Sequence, residues 1–216
     1  MSVAVETQPR LETDPRERTI VSVVVPLGLR LGVSPDDFEV LCAHNRDLRL
    51  ERNAKGELIA MSPSGSKTNG LEVAILSRLF VWAESNGTGR AFGLSGGFTL
   101  PNGAVRAPDA CWVKENRWKN LTAQQRSVFA PIAPDFVIEI CSPSDNRNET
   151  RAKMVEYLEQ GVRLGWLIDA RTPEFEVEIH CRGQAVEILS KPQTVSGDDV
   201  LPGFTLELGK ILTDAP

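Results

Sequence analysis

Asp109, Glu139 and Lys153 are the residues whose types and spacing point to chemistry. Glu139 stands in the middle of Phe136-Val-Ile-Glu-Ile-Cys141, where the five other residues are apolar or cysteine and β-branched residues recur. Such a run reads as a buried strand. A carboxylate buried there without a partner costs several kcal/mol or stays protonated. Asp109 opens a second β-like run, Ala110-Cys-Trp-Val113, separated from the first by one connection. If the two strands are neighbours, the carboxylates meet, and two clustered carboxylates repel unless a cation lies between them. Hard oxygen ligands in small number suit Mg2+ or Mn2+, which keep bound waters for chemistry. Such a metal polarises a phosphoryl oxygen and lowers the pKa of a water. Lys153, on the helix expected after Glu139 and four residues before Tyr157, is the candidate cation to steady the attacking water and the developing charge.

Other readings of the same residues stand beside this one. Glu139 could form a structural ion pair with Lys153 or Arg106. Asp109 after Pro108 could be a strand-start cap, and Lys153 a solvated lysine. Ser142 and Ser144 have no histidine placed to activate them and read as helix-capping residues. Tyr157 is expected to pack with its hydroxyl toward the polar cleft.

The elements that must position these residues follow from pattern. Ser34-Pro35-Asp36-Asp37 starts a helix that runs to about Asn45. Leu48–Glu51 and Glu57–Met61 alternate as strands about the turn Asn53-Ala-Lys-Gly56. Leu71, Ile75, Leu79 and Trp82 keep helical spacing in a helix from about Lys67 to Ser85, stopped by Gly87. Strands are expected near 89–94, 97–100 and 110–113, with a short helix near 122–127. Ser142-Pro-Ser-Asp145 is expected to cap a helix from about Asn146 to Gln160. A strand at 164–168, a hairpin at 175–181 and 184–189, and a short strand near 204–208 follow. The strand–helix–strand unit from Phe136 to Ile168 predicts a right-handed crossover between parallel neighbours. A mixed sheet with a few helices is the economical α+β reading of the α/β class.

Bulk properties narrow the field. A chain of 216 residues with 41% hydrophobic and 25% charged residues has the composition of a folded protein. A net charge of -5 without a Lys/Arg block disfavours a tight, non-specific nucleic-acid binder, though not an enzyme acting on nucleic acid. Cys42, Cys111, Cys141 and Cys181 lie far apart in apolar settings, as buried thiols in a reducing cytoplasm would. No run is long and apolar enough for a membrane span or signal peptide. Residues 1–20 read as a charged arm, and 21–216 as one domain. Ile20–Val25, beside that arm, is suited to pairing with an edge of a second copy, so a homodimer is expected.

Several longer stretches carry a resemblance. Met61-Ser-Pro63, Leu100-Pro-Asn-Gly103, Arg106-Ala-Pro-Asp109, Pro134 through Ser144, Lys153-Met-Val-Glu-Tyr157 and Gly161 through Asp169 together resemble the Uma-type family of bacterial endonucleases. The likeness covers roughly residues 34–212, and the run from Pro134 to Asp169 is its most specific part. The pair Pro108-Asp109 and Glu139-Ile-Cys141 also resembles the bipartite PD-(D/E)XK pattern. The resemblance implies a restriction-endonuclease-like mixed β-sheet core flanked by helices with added β-hairpins. It implies Mg2+ or Mn2+ held by Asp109, Glu139 and the backbone carbonyl of Ile140, and nucleic acid, with DNA expected, as substrate. The superfamily lysine normally stands where this chain has Cys141; in the Uma-type family it has migrated to the helix, which matches Lys153. A further acid from an early helix often completes these sites, and Glu72 is the position offered, with Glu51 as substitute. The competing expectation is a nuclease-like scaffold without turnover, acting as a dimeric binding or assembly module. A Lys153 directed into solvent would favour it.

Overall fold

The computed structural model describes residues 30–214. The arm at 1–20 and the Ile20–Val25 run lie outside the described residues. The elements, in order, are α1 (Pro35–His44), β1 (Arg49–Arg52), β2 (Leu58–Met61), α2 (Ser66–Asn86), β3 (Gly89–Gly93), β4 (Phe98–Thr99), β5 (Val105–Arg106) and β6 (Ala110–Lys114). They continue with α3 (Glu115–Lys119), α4 (Ala123–Ser127), β7 (Phe136–Ile140), α5 (Arg147–Glu159), β8 (Leu164–Asp169), β9 (Glu176–Cys181), β10 (Glu187–Ser190), β11 (Val195–Ser196), β12 (Thr205–Leu206) and α6 (Leu208–Asp214).

The central sheet has six strands in the order β10-β9-β8-β7-β6-β3. Only β7 and β8 run parallel, with Phe136 opposite Leu164 and Ile140 opposite Ile168. They are joined through α5, the crossover expected from the sequence. A second sheet, β2-β1-β5-β4, carries the hairpin about Asn53–Gly56, and β11 pairs with β12 in a third.

Both faces of the central sheet are covered, so β7 is buried along its whole length. Phe136, Ile138 and Ile140 point to one layer, where they meet Leu71, Ile75 and Leu79 of α2 and Leu208 and Ile211 of α6. Val137 and Cys141 point to the other, where Met154 and Tyr157 of α5 and Phe98 and Leu100 close the core. The period of two along the strand therefore puts Glu139 under α5. Gly165 on β8 lets α5 approach closely: a Cβ there would fall 2.3 Å from Met154 Cε and 3.2 Å from Val137 Cγ2.

Local signals account for the helix ends. The Ser34 hydroxyl oxygen accepts the Asp37 N–H. Gly87, at φ 67°, closes α2 in the left-handed region. The α5 cap differs from expectation: Asn146, not Ser142 or Ser144, accepts the N–H of Asn148. Asp145 instead accepts the Ser142 N–H and ties up the preceding loop. The connection before β10 is longer than the tight hairpin expected about Arg182-Gly183, and α3, β11 and α6 were not anticipated. Among the described residues no helix is long and apolar enough to cross a membrane.

Gly89 on the edge strand β3 faces fixed neighbours. A Cβ there would lie 2.3 Å from the Trp112 ring and 2.4 Å from the Val113 carbonyl oxygen, which belongs to the ladder and cannot turn away. Gly89→Ala is expected to lower unfolding free energy by about 1–3 kcal/mol, measured by urea titration.

Candidate active site

The antiparallel register of β6 and β7 pairs Ala110 with Ile138, and Asp109 lies at the bend just before β6, beside the end of β7 that carries Glu139. Both acids are buried, at 5% and 6% exposure. Asp109 Oδ2 accepts the Ile140 N–H at 2.7 Å, so the carboxylate lies against the backbone of the facing strand. Its Oδ1 accepts from Arg49 Nη2 at 2.9 Å, and the same nitrogen donates to the Ala107 carbonyl at 2.6 Å.

Glu139 is met from α5. Tyr157 Oη donates to its Oε1 at 2.9 Å, and Lys153 Nζ stands 2.9 Å from the same oxygen. Lys153 and Tyr157, one helical turn apart, thus reach one carboxylate oxygen together. Among the described residues both donors to Glu139 go to Oε1, and none reaches Oε2. Lys153 Nζ also donates to Glu51 Oε1 at 2.8 Å. Glu51 is 2% exposed and accepts the Ala107 N–H and Arg106 Nη1, each at 2.9 Å. Arg106 is in turn held by Glu156, at 2.7 Å through Nε and 2.6 Å through Nη2.

The structure therefore brings Asp109, Glu139, Lys153 and Glu51 into one cluster. Glu72 is buried on α2 but bonds to none of them. Its Oε2 accepts from Ser64 Oγ at 3.3 Å and Asn69 Nδ2 at 3.1 Å, within electrostatic reach of Asp109 and Arg49. Of the two acids offered for the extra position, Glu51 is the one that shares the lysine. Arg49, Arg106 and Glu156 were not singled out as site residues. Arg49 and Glu51, two apart on β1, share a strand face, and that alternation of charge was the available signal.

Five carboxylates, Glu51, Glu72, Asp109, Glu139 and Glu156, stand here against three cations, Arg49, Arg106 and Lys153. Burial pushes Glu139 up to about 7, and Asp109 and Glu51 add to the rise against the pull of Lys153. Glu72 is raised by burial and by Asp109. Burial works against ionised Glu51 as well, but Lys153 and Arg106 outweigh it and hold its carboxyl below its ordinary value. Lys153 stays charged, since Glu139 and Glu51 overcome its desolvation.

A divalent cation fits this donor set: it is hard, matches oxygen ligands and balances two surplus negative charges. Glu139 Oε2, an Asp109 oxygen and the Ile140 carbonyl are the available donors. Among the described residues no group of three or more acid, histidine or cysteine side chains forms a ready metal cage. An ion here would keep much of its water, as Mg2+ does.

A family model described as "Putative restriction endonuclease", Uma2, matches residues 35–209. The chain belongs to the Uma2 family. A solved structure, described as a "putative nuclease belonging to DUF820" from Anabaena variabilis ATCC 29413, superposes with a TM-score of 0.65 at 20% identity. The match covers 76% of this chain and 89% of that one and establishes a restriction-endonuclease-like fold. No curated protein matches. The resemblance read from the sequence is thereby borne out, and membership of Uma2 supports a nuclease-like function.

The charge balance of this Uma2 site gives a pH signature. Glu139 binds its proton more tightly folded, about 7, than unfolded, at the ordinary 4.5. Stability therefore falls as pH rises from 4.5 to about 7 and levels off above. Glu51 acts oppositely and lower down: its contribution is present above 4.5 and lost as pH falls through its depressed folded value. The two windows do not overlap. Without divalent cations, the stability of the unaltered protein relative to Glu139→Gln is expected to decline between pH 4.5 and about pH 7 and to stay level above. Urea unfolding of both proteins measures it; a constant difference would mean that Glu139 stays ionised in the fold.

Proposed function

We propose that this protein is a nuclease dependent on Mg2+ or Mn2+ that hydrolyses phosphodiester bonds, with DNA as substrate. The observation that carries the reading is the buried pair Asp109 and Glu139, with Asp109 bonded to the Ile140 N–H next to Glu139 and Lys153 Nζ 2.9 Å from Glu139.

Asp109, Glu139 and the Ile140 carbonyl would hold the cation. When bound it supplies Lewis acidity toward the phosphoryl oxygen and a lowered pKa for the attacking water. The chain's own residues supply the rest. Tyr157 fixes one oxygen of Glu139 and leaves the other for a ligand. Lys153 orients the incoming water and stabilises negative charge developing on the phosphate. Glu51, anchored by Arg106 and by the Ala107 N–H, keeps the ammonium pointed into the site. Where the lysine of the PD-(D/E)XK pattern would stand, Cys141 packs in the core.

Lys153 faces Glu139 and Glu51 with a side chain only 14% exposed, which argues against the inactive scaffold. A purely structural pair is opposed by the charge count, because a salt bridge built for stability matches its charges. The homodimer and the cytoplasmic setting belong to the same proposal, and gel filtration of the full chain tests the first.

Calorimetric titration with Mn2+ is expected to give binding in the unaltered protein and none in folded Asp109→Asn or Glu139→Gln. Lys153→Met is expected to retain Mn2+ binding and lose cleavage of a plasmid by about 10²–10³-fold. Metal binding by the unaltered protein that survives both acid substitutions would sink the assignment. A separate measurement addresses the ion pair alone. Lys153→Met leaves buried Glu139 without its cation and Glu51 with Arg106 alone, and is expected to lower stability by about 3–5 kcal/mol, with a smaller loss in acid, where Glu139 takes up a proton.

A further inference from the structure

Among the described residues, Arg49 is the cation of the site with a buried nitrogen left unpaired. Each guanidinium nitrogen of Arg106 meets Glu51 or Glu156, and Lys153 Nζ meets both Glu51 and Glu139. Arg49 uses Nη2 for both of its acceptors, Asp109 Oδ1 and the Ala107 carbonyl. Its Nε is buried without any hydrogen-bond acceptor among the described residues. A buried N–H left in that state asks for a missing partner, because nearly all such groups in folded proteins are satisfied. Arg49 is also the most accessible of the three cations, with a side chain 27% exposed against 10% for Arg106 and 14% for Lys153.

The bonds of Asp109 sharpen the point. One oxygen is held by the Ile140 N–H and the other by Arg49, so a cation arriving at Asp109 must share Oδ1 with the guanidinium or replace it. With Asp109 countered by a divalent charge, Arg49 would be left a donor with an unmet acceptor demand. A guanidinium in that position presents the planar fork that matches two phosphate oxygens.

We propose that Arg49 is the phosphate-binding residue of this centre: it neutralises Asp109 while no metal is present and takes the phosphodiester when one is. This rests on the nuclease reading above and adds to it a second role for the residue that guards Asp109. The guanidinium then acts on the substrate anion, while Asp109 and Glu139 act on the cation.

The test compares Arg49→Ala and Arg49→Lys with the unaltered protein in two titrations. One is calorimetry with Mn2+. The other is fluorescence anisotropy of a labelled random-sequence DNA duplex in Ca2+, an oxygen-seeking ion of looser geometry used to hold turnover off. Removing a competitor for Asp109 is expected to leave Mn2+ binding as tight as before or tighter. Removing the phosphate fork is expected to weaken duplex binding about tenfold or more. Arg49→Lys, which keeps the charge without the fork, should fall between the two and carries the test if Arg49→Ala does not fold. Weaker Mn2+ binding in step with weaker duplex binding would make Arg49 a mere prop for Asp109 and overturn the proposal. So would undiminished duplex binding in the variants, or an unaltered protein that takes Mn2+ but no duplex. In each of those cases Mn2+ binding by the unaltered protein leaves the nuclease reading standing. Its absence there removes that reading, and the role of Arg49 with it.

Discussion

Glu139 is a carboxylate on a strand buried on both faces, and little water reaches it to offset its charge. Everything that can compensate must come from the protein. A helix has to lie over that point of the sheet, close enough for a lysine and a tyrosine one turn apart to touch one oxygen. Gly165 beneath Met154 makes the close approach possible. The β1–β2 hairpin has to bring Glu51 to the far side of the lysine, and Arg106 has to bring Glu51 its own countercharge. The second sheet, the crossover helix and the central strand are thus joined through one chain of charges rather than by apolar packing alone.

That chain is not neutral. In a medium of low effective dielectric, unmatched charge is expressed either as instability or as a tightly held proton. Here it takes the second form: burial, Asp109 and Glu51 raise Glu139 to about 7, against the pull of Lys153. The strain is local: Glu51, with two cations on it, is stabilised as an anion, while Glu139, sharing one lysine and facing Asp109, is not. A group in that condition gains when a further positive charge arrives, which is how a site can be built without metal and still be poised to receive it.

The readable part of this arrangement was local in sequence. The buried run at 136–141, the crossover to 164–168 and the helix with Lys153 and Tyr157 on one face all follow from periodicities of two and 3.6. So does the mixed α+β sheet they form. What was not legible lies in contacts between distant segments. Lys153 and Glu51 are 102 residues apart, and Arg49 and Asp109 are 60 apart. Nothing in the neighbourhood of Glu51 or Arg49 says which strand will face them. The cap of α5 went to Asn146 because Asp145 is already spent on the Ser142 N–H, a competition between adjacent polar residues that composition does not rank. Two-residue strands such as β5 and β11 are too short for any period to register.

A second buried glutamate on the same face shows what a structural solution looks like. Leu167 separates Glu139 from Glu178 in register, so the two acids flank it beneath the same helix. Glu178 is 1% exposed, deeper than Glu139. Arg147 and Arg151, one turn apart on α5, each reach its Oε1 at 2.7 Å, and neutral-leaning His180 lies 3.3 Å from its other oxygen. Burial alone would raise Glu178, yet the two arginines hold it below its ordinary value. Two buried acids on the same sheet face beneath the same covering helix therefore have opposite outcomes. The difference is in the count of charges: Glu178 and its neighbours Glu176 and Asp169 meet three arginines, Arg147, Arg151 and Arg171, and are matched, whereas Glu139, beside Asp109 and with a lysine divided between two acids, is not. Fold stability alone would have favoured the first arrangement at both places. That the chain carries the second at 139 is the physical reason to regard this end of the sheet as a site and the other end as scaffold.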